Sequence, residues 1–158
     1  MAARSIQQWF DAYGESHRNP TNKLIHWICV PTIYFCLVAL LWSIPGWPST
    51  PWLPSGWAAM SALLLVALFY VRLSIPIMFG MALFSGLCLL LSAWLDTHAD
   101  RPLWSIALVL FVAAWIGQFY GHKVEGKKPS FLDDLQFLMI GPLWLLAALY
   151  RRLGLRYS

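Results

Sequence analysis

The sequence predicts an all-α integral membrane protein: a helical bundle of four spans, with an N-terminal amphipathic helix and a C-terminal re-entrant or interfacial helix. Three observations lead there. Of 158 residues, 59% are hydrophobic and only 11% are charged, whereas a soluble domain carries about 25% charged residues. The apolar residues gather in runs long enough to cross roughly 30 Å of hydrocarbon at 1.5 Å per residue. The cations gather at the ends of those runs. A water-soluble fold of this length has too little interior to hide so much apolar surface. Residues 1–158 therefore read as a single membrane-embedded domain.

Each element has its own signal. Over residues 4–17, Ile6, Trp9, Phe10 and Tyr13 recur at i, i+3, i+4 and i+7 among polar neighbours, which predicts a short amphipathic helix lying on the membrane or capping the bundle. Asn19 followed by Pro20 signals the start of the next helix, a side-chain cap and then proline at the first helical position. No residue from Leu24 to Ile44 is charged, so the first span is placed at about 24–44, with a kink expected at Pro31. The Pro- and Trp-rich loop that follows suits the headgroup level. Further spans are expected at about 57–71, 75–95 and 103–120, with a tight turn at Arg72–Ser74 and the polar loop DTHADRP between them. A last apolar stretch, about 135–150, is short and broken by Gly141-Pro142. Asp133 and Asp134 are read as caps for it.

Charge sets the orientation. With the N-terminus in the cytoplasm, four spans put Arg4, Arg18, Lys23, Arg72, Lys123, Lys127 and Lys128 inside and Arg101 outside, as the positive-inside rule requires. A fifth true span would move Arg151, Arg152 and Arg156 outside, so the re-entrant reading is preferred for 135–150. The net charge of +4, placed at span ends, points to membrane lipids with anionic headgroups as partners and not to nucleic acid. Cys29, Cys36 and Cys88 lie inside apolar runs and read as small buried hydrophobes. No early apolar core marks a signal peptide, so insertion is expected to rely on the spans. The oligomeric state leaves no signal.

This topology sorts the four histidines. His17 and His26 flank the cytoplasmic start of span one, and His122 lies at the cytoplasmic end of span four. His98 falls a bilayer away and reads as a solvated loop residue. Glu125 shares a helical face with His122, Gln118 lies one turn before it, and Asn22 precedes His26 by one turn. Imidazoles with a carboxylate, and no thiolate among them, suit iron(II), zinc or manganese. His17, His26 and His122 are the candidate ligands, with Glu125, Asn22 and Lys127 beside them. Glu125 has three readings: direct ligand, partner to the outer N–H of a ligating histidine, or ion-pair partner of Lys128. The second is preferred, because three histidines can already hold the metal. Four histidines are too few for the multi-histidine boxes of membrane di-iron hydroxylases. No span carries the carboxylate that a proton-coupled exporter needs.

Two stretches carry a resemblance. YGESHRNPTNKLIHWICVP resembles a Tyr…His-x-Asn-Pro…His…Pro signature. WIGQFYGHKVEGKKPSFLDDLQFLMIGPLWLL resembles Gln-Phe-x-Gly-His…Glu-Gly-x-x-Pro followed by Gly-Pro. Together they resemble the 2-hydroxy fatty acid dioxygenase family, over nearly the whole chain. The resemblance implies Fe(II) held by His17, His26 and His122, with Glu125 beside the last. It implies a 2-hydroxy fatty acid and dioxygen as substrates, and α-oxidation to an acid one carbon shorter. It places the protein in the inner membrane if bacterial, or the endoplasmic reticulum if eukaryotic, with a cytoplasmic active site. Lys127 or Lys128 is then expected to meet the substrate carboxylate or lipid phosphates. The alternative is a non-catalytic membrane protein whose polar face binds headgroups or a partner.

Overall fold

Helix-start signals and glycine stops divide the chain as the sequence suggests. The computed structural model describes residues 5–46, 55–129 and 136–157. Among them are six helices and no strand: α1 Ile6–Gly14, α2 Pro20–Trp42, α3 Trp57–Val71, α4 Ile75–His98, α5 Leu103–Glu125 and α6 Phe137–Arg152. Ser5 opens α1 with a reciprocal cap: its hydroxyl accepts from the Gln8 N–H, and its own N–H donates to the Gln8 side chain. Ile6, Trp9, Phe10 and Tyr13 are buried, as their spacing predicts. The helix is shorter than the expected 4–17, so His17 lies in the turn after it. Asn19 caps α2, its side-chain oxygen accepting from Thr21 N–H at 2.9 Å, with Pro20 at the start. The Ser74 hydroxyl caps α4, and Gly126 ends α5 with φ 73, a left-handed conformation that favours glycine.

Three helices, α2, α4 and α5, are long and apolar enough to cross a membrane. The expected span at 57–71 is present as α3, but its 15 residues rise only about 22 Å, less than the hydrocarbon thickness. Helices α4 and α5 run on to His98 and Glu125, past the expected ends at Leu95 and Tyr120, because nothing before Ala99 or Gly126 breaks a helix. The stretch expected to be re-entrant forms one 16-residue helix, α6, with Gly141 and Pro142 inside it. Most of the Pro- and Trp-rich loop, together with Asp133 and Asp134, lies outside the described residues.

Helix α2 is the hub. Its main seam is with α5, and it also meets α3, α4 and α6. Close approach is possible because α5 presents Gly117 and Gly121 one turn apart. A Cβ on Gly117 would lie 2.8 Å from Cys29 Sγ, and one on Gly121 only 2.4 Å from Asn22 Oδ1. Small residues at this spacing are what membrane helices use to pack closely. Helix α6 docks on α1 through an edge-on contact of Trp9 with Phe137, ring centroids 5.3 Å apart. Tyr70 and Tyr150 tie α6 to the α3–α4 turn by donating to the Met139 and Pro76 carbonyls. These contacts put α1, α6, the start of α2 and the end of α5 at one end of the bundle. Leu64, Leu65, Leu83, Leu90, Val109 and Ile116 point outward, a surface suited to lipid rather than water. Cys36 and Cys88 are buried and all three cysteines are free.

Candidate metal centre

Three elements each bring one histidine to the same point. His17 comes from the α1–α2 turn, His26 from the second turn of α2 and His122 from the last turn of α5; their exposures are 2%, 2% and 5%. His17 Nδ1–H donates to the Tyr13 carbonyl at 2.6 Å, and His26 Nδ1–H donates to the Asn22 carbonyl at 2.9 Å. A carbonyl only accepts, so each ring carries its proton on Nδ1, and a neutral imidazole has only one. Both Nε2 atoms are therefore bare lone pairs, yet they face one another at 2.8 Å. His122 Nδ1 is buried with no hydrogen-bond partner among the described residues. Its ring centroid is 5.1 Å from that of His17 and 5.0 Å from that of His26.

A cation resolves this arrangement, and a proton does so poorly. Burial pushes the His17 imidazole down to about 4 despite the Tyr13 carbonyl, which favours the neutral ring at neutral pH, with its one proton on Nδ1 and Nε2 bare. One potential ligand atom from each of the three histidines lies within 4.8 Å of the others. Two imidazole nitrogens bound at right angles, about 2.1 Å from one metal, would be about 3.0 Å apart. The residues present thus fit a metal ion, and two of them, His17 and His26, have their outer N–H groups already fixed by carbonyls. Tyr13 stacks on the His17 ring at 4.0 Å and 14°, which limits its rotation.

The other expected site residues divide. The Nδ1–H groups of His17 and His26 are already held by the Tyr13 and Asn22 carbonyls, and among the described residues Glu125 hydrogen-bonds to none of the three rings. Its carboxylate instead accepts from the backbone N–H groups of Arg18 and Asn19 at 2.9 and 2.8 Å, and from the Asn22 side chain at 3.1 Å. It fastens the end of α5 to the segment that carries His17. Asn22 is fully buried; it also donates to the Ser16 carbonyl at 3.1 Å and offers its own carbonyl to His26. Lys127, expected to meet a substrate carboxylate, donates its backbone N–H to the His122 carbonyl at 3.3 Å, but the residue is exposed and does not line the cavity at the histidines. His98 is exposed at the far end of α4, stacked on Trp94.

A cavity of about 60 Å³ opens from the histidines, walled by Val30, Ile33 and Leu37 of α2 and by Phe137 and Leu138 of α6, with Gln118 beside His122. From His26 to Leu37 the α2 wall extends roughly 16 Å. The parts played by Tyr13 and Asn22 through their carbonyls escape sequence reading, since every residue has a carbonyl. Gln118 left a visible signal, a polar residue inside an apolar run.

The Glu125 contacts give an expected result. Glu125→Gln keeps an acceptor but loses the charge, and is expected to weaken metal affinity about tenfold, within the range for residues supporting ligands. Glu125→Ala should weaken it further, and Lys128→Ala should leave it unchanged. Titration of metal into the purified variants checks this; wild-type affinity in Glu125→Ala contradicts it.

The fold and site define a class: an all-helical protein with membrane-length helices and a buried three-histidine cluster of metal-binding type at the head of an apolar cavity. The chain belongs to the Mpo1-like family, whose family model, described as 2-hydroxy-palmitic acid dioxygenase Mpo1-like, matches residues 3–153. It is 36% identical over 141 residues to the 2-hydroxy-palmitic acid dioxygenase MPO1 of Saccharomyces cerevisiae, an alignment covering 87% of this chain and 75% of the relative. No solved structure matches. Membership agrees with the resemblance read from the two signature stretches.

Proposed function

We propose that the protein is an iron(II)-dependent dioxygenase that carries out α-oxidation of 2-hydroxy fatty acids. The acid and one dioxygen would give a fatty acid one carbon shorter, carbon dioxide and water. The observation that carries this reading is the convergence of His17, His26 and His122, with unprotonated nitrogens facing one another, at the head of an apolar cavity. The relative's printed activity supplies the substrate class.

His17, His26 and His122 would hold the iron, and three neutral ligands leave room and charge for an anionic substrate. Bound iron(II) supplies the one-electron chemistry by which dioxygen reacts with the acid. The chain's own residues do the rest. The Tyr13 and Asn22 carbonyls keep two of the rings in the ligating tautomer. Glu125 and Asn22 hold the His17 segment against α5. Val30, Ile33, Leu37 and Leu138 exclude water and take the acyl tail, whose burial is worth about 0.8 kcal/mol per methylene. Leu37 is partly exposed, so a long tail can continue into lipid. Lys127 and Lys128 suit lipid phosphates at the surface. By the positive-inside argument this end of the bundle faces the cytoplasm, with α3 as a short fourth span.

The test is anaerobic loading of purified protein with iron(II), followed by 2-hydroxypalmitate and dioxygen. Pentadecanoate is the expected product, with none from iron-free protein or from palmitate. Protein that retains no iron and forms no product instead fits a non-catalytic headgroup- or partner-binding role.

A further inference from the structure

Among the described residues, three buried polar side-chain atoms lack a hydrogen-bond partner: Asn22 Oδ1, Gln118 Oε1 and His122 Nδ1. Two have explanations. The Asn22 oxygen is pressed against Gly121, where a Cβ would fall 2.4 Å away, and the same carboxamide is anchored through its nitrogen. The His122 nitrogen belongs to the metal centre. Gln118 is left. It is 6% exposed, it lies inside a membrane-length helix, and it lines the cavity that holds the three histidines. An unpaired carbonyl in such surroundings is costly.

We propose that the Gln118 carboxamide oxygen accepts a hydrogen bond from the 2-hydroxyl of the bound acid, and so lets the site tell a 2-hydroxy acid from a plain fatty acid. This rests on the dioxygenase reading. The chemistry is complementary. A carboxylate has no proton to give, and the acyl chain has no polar hydrogen, so the 2-hydroxyl is the one donor on the substrate. The order along the helix also matches the order along the molecule. His122 stands at the interfacial end of α5, and Gln118 is one turn, about 6 Å, further toward the membrane interior. The carboxylate at the histidines is followed by the hydroxyl-bearing carbon and then the tail against Val30 and Ile33. A plain fatty acid would place a methylene against Gln118 and leave its oxygen unpaired, which is how a polar site rejects an analogue lacking the hydroxyl. Gln118 is thus a substrate-binding residue on the tail side of the metal ligands.

The test measures equilibrium binding of 2-hydroxypalmitate and of palmitate to iron-loaded protein without oxygen, for wild type, Gln118→Met and Gln118→Asn. Methionine keeps the size and removes the acceptor; asparagine keeps the amide and withdraws it. Wild type should prefer the 2-hydroxy acid. In both variants the preference should fall about tenfold, with iron content unchanged. If one variant fails to hold iron, the other decides. A wild-type preference that survives in the iron-loaded variant overturns this proposal alone. Wild-type protein that binds neither acid overturns the dioxygenase reading and this proposal with it.

Discussion

Alanine in place of His17, His26 or His122 is expected to remove most of the bound iron and nearly all turnover, each on its own. Three nitrogens converge from three separate elements, so the loss of one leaves two ligands and an open, wetter site. For His17 and His26 the loss is larger than one bond. Their Nδ1–H groups also satisfy the Tyr13 and Asn22 carbonyls, which would be left unpaired in a buried place. His98→Ala should be nearly silent, since that ring is exposed and its contacts, with Trp94 and Thr97, are local to the end of α4 far from the three histidines. Iron per protein and product formation, measured on the same preparations, check this. An essential His98 with a dispensable His26 would sink the assignment of the centre. Stripping iron from wild type with a chelator should lower its melting temperature, because an ion that binds only the folded state stabilises it.

Gly121→Ala is expected to destabilise the protein by about 1–3 kcal/mol, the usual cost of overpacking, and to weaken iron binding at the same time. The added methyl carbon would meet Asn22 Oδ1 at 2.4 Å. Asn22 has little freedom to retreat: it is fully buried, and its nitrogen is bonded to the Ser16 carbonyl and the Glu125 carboxylate. Relief must come from parting α2 and α5, which carry His26 and His122, or from breaking the contacts that hold the His17 segment. Gly117→Ala meets Cys29 Sγ at 2.8 Å, one turn further from the histidines, and should cost stability with a smaller effect on iron. Thermal melting with iron titration of both variants separates the two effects. Gly121→Ala with wild-type melting and affinity would show that the seam tolerates a wider spacing than these contacts imply.

Much of this molecule is local chemistry and is therefore written in the sequence. The buried face of α1 follows from the spacing of Ile6, Trp9, Phe10 and Tyr13. The start of α2 follows from Asn19-Pro20, and the apolar length of α2, α4 and α5 follows from uncharged runs. The order of the apolar runs separates His17, His26 and His122 from His98 in the sequence, and the fold brings those three together. Three-dimensional structure alone decided the rest, for a physical reason: the deciding groups are backbone carbonyls and distances across a seam. That Tyr13 and Asn22 orient the His17 and His26 rings depends on carbonyls that every residue possesses. That Glu125 grips Arg18, Asn19 and Asn22, and not a histidine or Lys128, depends on where the end of α5 meets the α1–α2 turn. Lys127 is close to the site in sequence and its N–H reaches the His122 carbonyl, yet the residue is exposed and does not line the histidine cavity. The fifteen residues of α3 were legible as a helix but fall short of a full crossing. The unpaired oxygen of Gln118 exists only as a relation between one side chain and everything packed around it.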